Sequence, residues 1–213
     1  MKNEGTCYFC NNTYSMRGIK RHLDKCKKRF IDDKMEGENY YMISIHSLFK
    51  HYWMYLEVSE NTTLKDIDKF LRKKWLECCD HLSMFDIDGD TYKYSSMENY
   101  PCESKKVTVK DVFYEGLKIR YEYDFGSTTR LEIKVLSIRK GSGDDEILVM
   151  ARNNEIEFEC IECGNKASYI SSDINGFERK FFCDKCAKKN GIESLLPVVN
   201  SPRMGVCGYL GEG

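Results

Sequence analysis

Two groups of residues in this chain have the types and spacing to hold a metal ion. The first is Cys7-x2-Cys10-x11-His22-x3-Cys26, three thiols and one imidazole. Two cysteines two residues apart can present both sulfurs to one ion. A His and a Cys four apart lie one helical turn apart on the same face. The second group is Cys160-x2-Cys163-x19-Cys183-x2-Cys186, two such cysteine pairs. Four thiolates close a tetrahedron and leave no position for water, so this site would be structural rather than hydrolytic. The expectation is two zinc ions per chain, with Cys7, Cys10, His22 and Cys26 on one and Cys160, Cys163, Cys183 and Cys186 on the other.

Each group needs elements to place its ligands. Around His22 and Cys26 a short helix is expected, with Tyr14, Ile19 and Leu23 as the small apolar core of a zinc finger. Between Cys163 and Cys183, Lys166 to Ser172 and Phe177 to Phe182 read as two arms turning at Asn175-Gly176, which is a zinc ribbon. A redox role for the CxxC pairs is disfavoured, because two pairs at ribbon distance suit one metal. Between the two modules, His51 to Val58 reads as an aromatic strand. Thr63 caps a helix with Asp66 at its third position. Leu64, Ile67, Phe70, Leu71 and Trp75 lie on one face of that helix, which is expected to end near Cys78. Leu82 to Ile87 and Thr91 to Tyr94 form a hairpin around Asp88-Gly89, and that turn reads better as a hairpin than as a calcium loop. Lys118 to Phe125, Thr128 to Arg139 and Ile147 to Ala151 are three further strands. The sum is an α+β fold: a mostly antiparallel, curved sheet with one main amphipathic helix, flanked by the finger and the ribbon.

Charge divides the chain in the same way. The 213 residues carry 33 basic and 34 acidic side chains, a formal net charge of −1. Residues 1–36 carry 9 basic and 5 acidic groups, residues 37–155 carry 17 and 21, and residues 156–213 carry 7 and 8. These three segments are the expected domains: finger, α+β core, and ribbon with tail. Seven thiolates on two zinc ions would bring the whole chain to about −4, which counts against a nucleic-acid surface over the entire protein. The excess positive charge is concentrated in Arg17, Lys20, Arg21, Lys25, Lys27, Lys28 and Arg29, opposed nearby by Asp24. A helix carrying these residues suits phosphate contact, which makes DNA or RNA the first expected partner. The ribbon's basic residues are interleaved with acidic ones and suit a clip or a protein contact. The other reading is an adaptor whose zinc modules dock onto a larger assembly.

The cysteine count is 11, which is odd, and no apolar run approaches the length that spans a membrane. The first residues lack the apolar stretch of a secretory signal, so a reducing, cytoplasmic setting is expected, where clustered cysteines hold metal. No Ser-His-Asp order, P-loop or dinucleotide fingerprint is present, and no small-molecule substrate is indicated. The expectation is a non-enzymatic protein. Cys78, Cys79, Cys102 and Cys207 stay unassigned, the first two read as small residues buried at a helix end.

The run Tyr121-Glu122-Tyr123-Asp124-Phe125-Gly126-Ser127-Thr128-Thr129-Arg130-Leu131-Glu132-Ile133 resembles the signature of the plasmid-encoded open-reading-frame-three-like family, also labelled transposon passenger TnpR-like. That family shows Tyr-Asp-Phe-Gly-Asp-x-Trp-x-His-x-Ile on a strand turn. The resemblance spans about residues 45–150 and implies a compact α+β domain with a curved sheet. Ser127, Thr129 and Leu131 replace the family's acidic, Trp and His positions, so it implies no catalysis at this turn. Gly126 is expected to supply the positive-φ turn residue, and Asp124 to hydrogen-bond the turn backbone.

Overall fold

The computed structural model describes residues 3–29, 37–94, 107–141, 146–171, 179–192 and 194–212. These form two compact units rather than three segments in series. The first comprises Met1–Phe70 and Leu82–Asn154, the second Leu71–His81 and Glu155–Gly213.

Among the described residues, nine strands of the first unit form one antiparallel sheet. They are β1 (Glu4–Cys7), β2 (Thr13–Ser15), β3 (Glu38–Ser47), β4 (Trp53–Ser59), β5 (Ser83–Ile87), β6 (Asp90–Tyr94), β7 (Lys118–Tyr123), β8 (Thr129–Gly141) and β9 (Ile147–Asn153). Their order is β2-β1-β9-β4-β3-β8-β7-β5-β6. The centre is β3, which pairs with β4 along one edge and with the long β8 along the other. Trp53, Met54, Leu56 and Val58 of β4 and Ile43 and Ile45 of β3 are fully buried, and these strands carry the core. The helices are short: α1 (Met16–Leu23), α2 (Leu64–Leu71) and α3 (Val109–Val112). No helix among the described residues is long and apolar enough to cross a membrane.

The α2 start is as its sequence dictates, with the Asp66 amide donating to Thr63 Oγ1 at 3.1 Å. On its inner face Asp68 is buried and accepts from Ser83 Oγ at 2.5 Å and Tyr121 Oη at 2.7 Å. Those two bonds satisfy a carboxylate that would otherwise be costly to bury, and they fix the helix to β5 and β7. The helical path ends near Cys78, as expected, but changes pitch on the way: the α-helix Leu64–Leu71 passes into a π-helix, Arg72–Leu76, after which Glu77 is extended.

The β5–β6 hairpin has Asp88 at φ +52 and Gly89 at φ +96, the paired positive dihedrals of a tight two-residue turn. At the β7–β8 turn the positive-φ residue is Asp124, at φ +64, and not Gly126. The Asp124 carboxylate accepts from the Gly126 amide at 2.9 Å, so a local side-chain bond stabilises the left-handed backbone there.

The boundary expected near residue 36 does not separate a finger from a core. Strand β1 pairs with β9, Gly5 opposite Asn153, so the N-terminal hairpin extends the large sheet. Asn3 completes the join, accepting from Trp53 Nε1 at 2.6 Å and donating to the Lys50 carbonyl at 2.7 Å. In the second unit β10 (Tyr169–Ser171) lies between β11 (Lys180–Phe182) and β12 (Leu195–Pro197), and α4 (Asp184–Lys189) connects β11 to β12 in the chain. The arms of the expected ribbon hairpin are therefore present, joined by a third strand; Asn175-Gly176 falls outside the described residues.

Candidate metal centres

The first four ligands converge. Cys7 ends β1, Cys10 follows in the turn, His22 sits in the last turn of α1, and Cys26 lies just beyond the helix. Cys7 Sγ is 3.9 Å from Cys26 Sγ, and Cys10 Sγ is 3.3 Å from His22 Nε2. A tetrahedral zinc ion implies edges of about 3.8 Å between sulfurs and about 3.5 Å from sulfur to nitrogen. Tyr14 stacks on the His22 ring at 3.9 Å between centroids and 18° between planes, which holds the imidazole facing the sulfurs. Ser15 caps α1, accepting from the Gly18 amide. Ile19 and Leu23 are fully buried in one cluster that holds Cys7 and Cys26 together with Met42, Trp53, Tyr55 and Met150. The large sheet thus supports the helix from its buried face.

The second group is built alike. Cys163 Sγ and Cys183 Sγ are 3.6 Å apart. Cys183 is the N-cap residue of α4, which places Cys186 on the first turn, and Phe182 and Ala187 pack around the sulfurs. The two CxxC turns share one hydrogen-bond pattern. The Asn11 amide donates to the Cys7 carbonyl and the Cys7 amide to Asn12; the Gly164 amide donates to the Cys160 carbonyl and the Cys160 amide to Asn165. Asn11 and Gly164 occupy matching left-handed positions, φ +59 and φ +73. Each turn leaves an apolar side chain exposed after its first cysteine, Tyr8 in one and Ile161 in the other.

Among the described residues three groups are able to hold a metal ion, one more than the spacing predicts. The third is Cys78, Cys79, His81 and Cys207, all in the second unit. Cys78 and Cys79 follow the helical run that ends at Leu76, as expected, but the expectation that they are buried is corrected: Cys79 is exposed and Cys78 half-buried. Cys102 falls outside the described residues.

In each group burial and neighbouring thiols spread the proton affinities. Burial pushes the Cys7 thiol up to about 11. Burial would raise Cys10 too, but the Asn12 amide and nearby side chains hold it below its ordinary value. Cys160 is brought down to about 6 by backbone amides that outweigh its burial. A metal ion held by these groups would replace the shared protons, which would link its binding to pH.

The basic residues of the first module fall into two sets. Arg17 and Arg21 are exposed one turn apart on α1, and Lys25, Lys27 and Lys28 are exposed beyond it. Lys20 pairs with Asp24 at 3.1 Å in an exposed contact of little energetic weight. Arg29 leaves the exposed set altogether: its side chain is 6% exposed and lies 2.5 Å from Glu57 of β4. A second basic region, a hollow of about 270 Å³ beside Lys50, Lys118, Arg120 and Arg130, is charge-compensated. Arg120 pairs with Asp86 and Arg130 with Glu122.

Residues 40–166 match the family model described as plasmid pRiA4b ORF-3-like protein. The match includes the Tyr123-Asp124-Phe125-Gly126 turn and Cys160 and Cys163, and leaves out the N-terminal group. Among solved structures, the chain is similar to a crystal structure of a protein of unknown function, MM3350, from Methanosarcina mazei Go1. That similarity has a TM-score of 0.44 and 20% identity over 55% of this chain and 68% of the other. No curated protein matches the chain.

Proposed function

This chain belongs to the plasmid pRiA4b ORF-3-like family, and we propose that it is a cytoplasmic, non-enzymatic binding protein whose N-terminal zinc finger contacts DNA or RNA. The observation that carries this reading is the division of α1 into two faces. Ile19 and Leu23 are fully buried against the sheet, while Arg17 and Arg21 face solvent with Lys25, Lys27 and Lys28 following. Phosphate contact needs cations held on a firm support, and here a metal and a buried apolar face hold the helix from the other side. Exposed Tyr8 in the same module offers a flat ring on which a base can stack.

Zinc in the finger and in the ribbon is structural in this reading. Each ion has four protein ligands, so it orders its module without activating water. The C-terminal module has a different bias. Its basic side chains are interleaved with acidic ones, which suits a clip or a protein contact at that end better than phosphate contact.

The reading is tested by anisotropy titration of the zinc-loaded full chain against labelled mixed-sequence DNA and RNA, single- and double-stranded, over a range of salt. Binding that weakens steeply with salt is expected. No binding to any of the four at low salt would overturn it.

A further inference from the structure

We propose that Cys78, Cys79, His81 and Cys207 form a third, structural zinc site, one that ties the C-terminal tail to the segment Leu71–His81 within the second unit. The four ligand atoms lie within 4.8 Å of one another. Cys79 Sγ is 3.5 Å from Cys207 Sγ, and Cys207 Sγ is 3.7 Å from His81 Nε2. These are the separations seen among the ligands of the other two groups, and they match the edges of a zinc tetrahedron, about 3.8 Å and about 3.5 Å. The ligand set, three thiols and one imidazole, is that of the N-terminal group.

The surroundings are arranged for it from both sides. In the segment, Arg72 donates to the His81 carbonyl at 2.6 Å and pairs with Glu77 at 3.0 Å, which sets the path of the chain through Cys78 and Cys79. In the tail, Ser201 Oγ donates to the Trp75 carbonyl at 2.6 Å and accepts from the Arg203 amide at 2.9 Å. Arg203 is fully buried, and its Nη2 lies 3.5 Å from Cys78 Sγ. Zinc with three thiolates and a neutral imidazole carries a net charge of −1, and Arg203 is placed to offset it. On binding, the three thiol protons pass to solvent.

Two other uses of these residues account for less of the arrangement. A Cys79–Cys207 disulfide would leave Cys78 and His81 without a role. A reactive Cys207 beside His81 would leave Cys78 and Cys79 without one. A metal ion uses all four.

Native mass spectrometry of the full chain reads the zinc count directly. The wild-type protein is expected to carry three ions, and the C79S/C207S variant one fewer, with Cys10→Ser and Cys163→Ser each losing one independently. An unchanged count in C79S/C207S overturns the site. Should that variant fail to fold, thiol footprinting of the wild-type protein decides. Cys79 and Cys207 are expected to resist alkylation when zinc-loaded and to react after chelation. Alkylation of either in the zinc-loaded protein, or a peptide linking the two through a disulfide, overturns the proposal.

Discussion

The guanidinium of Arg29, three residues beyond the last ligand of the first metal group, lies 2.5 Å from the Glu57 carboxylate in the middle of the large sheet. Arg139 of β8 binds the same carboxylate with both arms of its guanidinium, Nε at 2.8 Å from Oε1 and Nη2 at 2.5 Å from Oε2. Glu57 is thus a buried anion held by two cations. One of them comes from the stretch of sequence that is otherwise most basic and most exposed.

Removing the anion should therefore cost more than removing a surface charge. Glu57→Gln leaves two arginines facing a neutral amide, and a loss of about 3 kcal/mol is expected from breaking a buried ion pair. Burial by itself would raise the Glu57 carboxyl, but the hydrogen bonds and charges of Arg139 and Arg29 outweigh it and hold the carboxyl below its ordinary value. A lowered folded-state value stabilises the fold above the ordinary carboxylate range. That stabilisation disappears as pH falls through the lowered value. The gap between wild type and Glu57→Gln in urea midpoint should be full at neutral pH and narrow in acid. A gap independent of pH would contradict this.

Gly5 is a second point where finger and sheet cannot be separated. A Cβ there would fall inside contact distance of the Trp53 ring and of the Arg152 carbonyl oxygen. Gly5→Ala is expected to weaken the β1–β9 pairing at a cost of about 1–3 kcal/mol. Amide hydrogen exchange should show faster exchange in β1 while β7 and β8 keep their protection.

Much of this was legible in the sequence, and what was not has physical reasons. The eight cysteine and histidine ligands of the first two groups are close in sequence, so spacing alone brings them together. Strands β4 to β8 announce themselves through aromatic content, alternation and turn residues. Strand β3 does not, because Tyr40 to Ile45 are buried without alternation, and such a run has no period to read. Four-residue β1 is too short to show a pattern and ends on a metal ligand. Arg29 drops out of the exposed basic set because nothing local marks a residue that pairs with a strand 28 positions away. The third metal group needed the fold itself: Cys79 and Cys207 are 128 positions apart, and an adjacent cysteine pair lacks the spacing of a metal turn.

Tyr14 should be a positioning residue for the first metal. Tyr14→Ala removes the ring that lies on His22 and is expected to weaken zinc binding about 10- to 100-fold, as removal of a ligand's supporting neighbour does. Competition with a chromophoric chelator measures it. An unchanged affinity would show that the stack does not orient His22.

The ribbon should be separable from nucleic-acid binding. Cys163→Ser is expected to release the second unit's ribbon zinc and to unfold α4, read as weakened exchange protection around Ala187. Nucleic-acid affinity should stay within a factor of about two, since the proposed binding residues lie on α1 and just beyond it. A large drop in affinity in Cys163→Ser would move the binding surface to the other module.

The most direct test of the central proposal compares two salt titrations of binding to the same duplex. One uses the zinc-loaded wild-type chain, the other the variant R17Q/R21Q/K27Q/K28Q, whose substitutions are all at exposed positions and whose zinc content serves as the control for folding. Weaker binding by the variant is predicted, with a shallower dependence of log K on log salt, by about 0.9 for each phosphate no longer neutralised. Equal affinities and equal slopes in a variant with its zinc intact would contradict it.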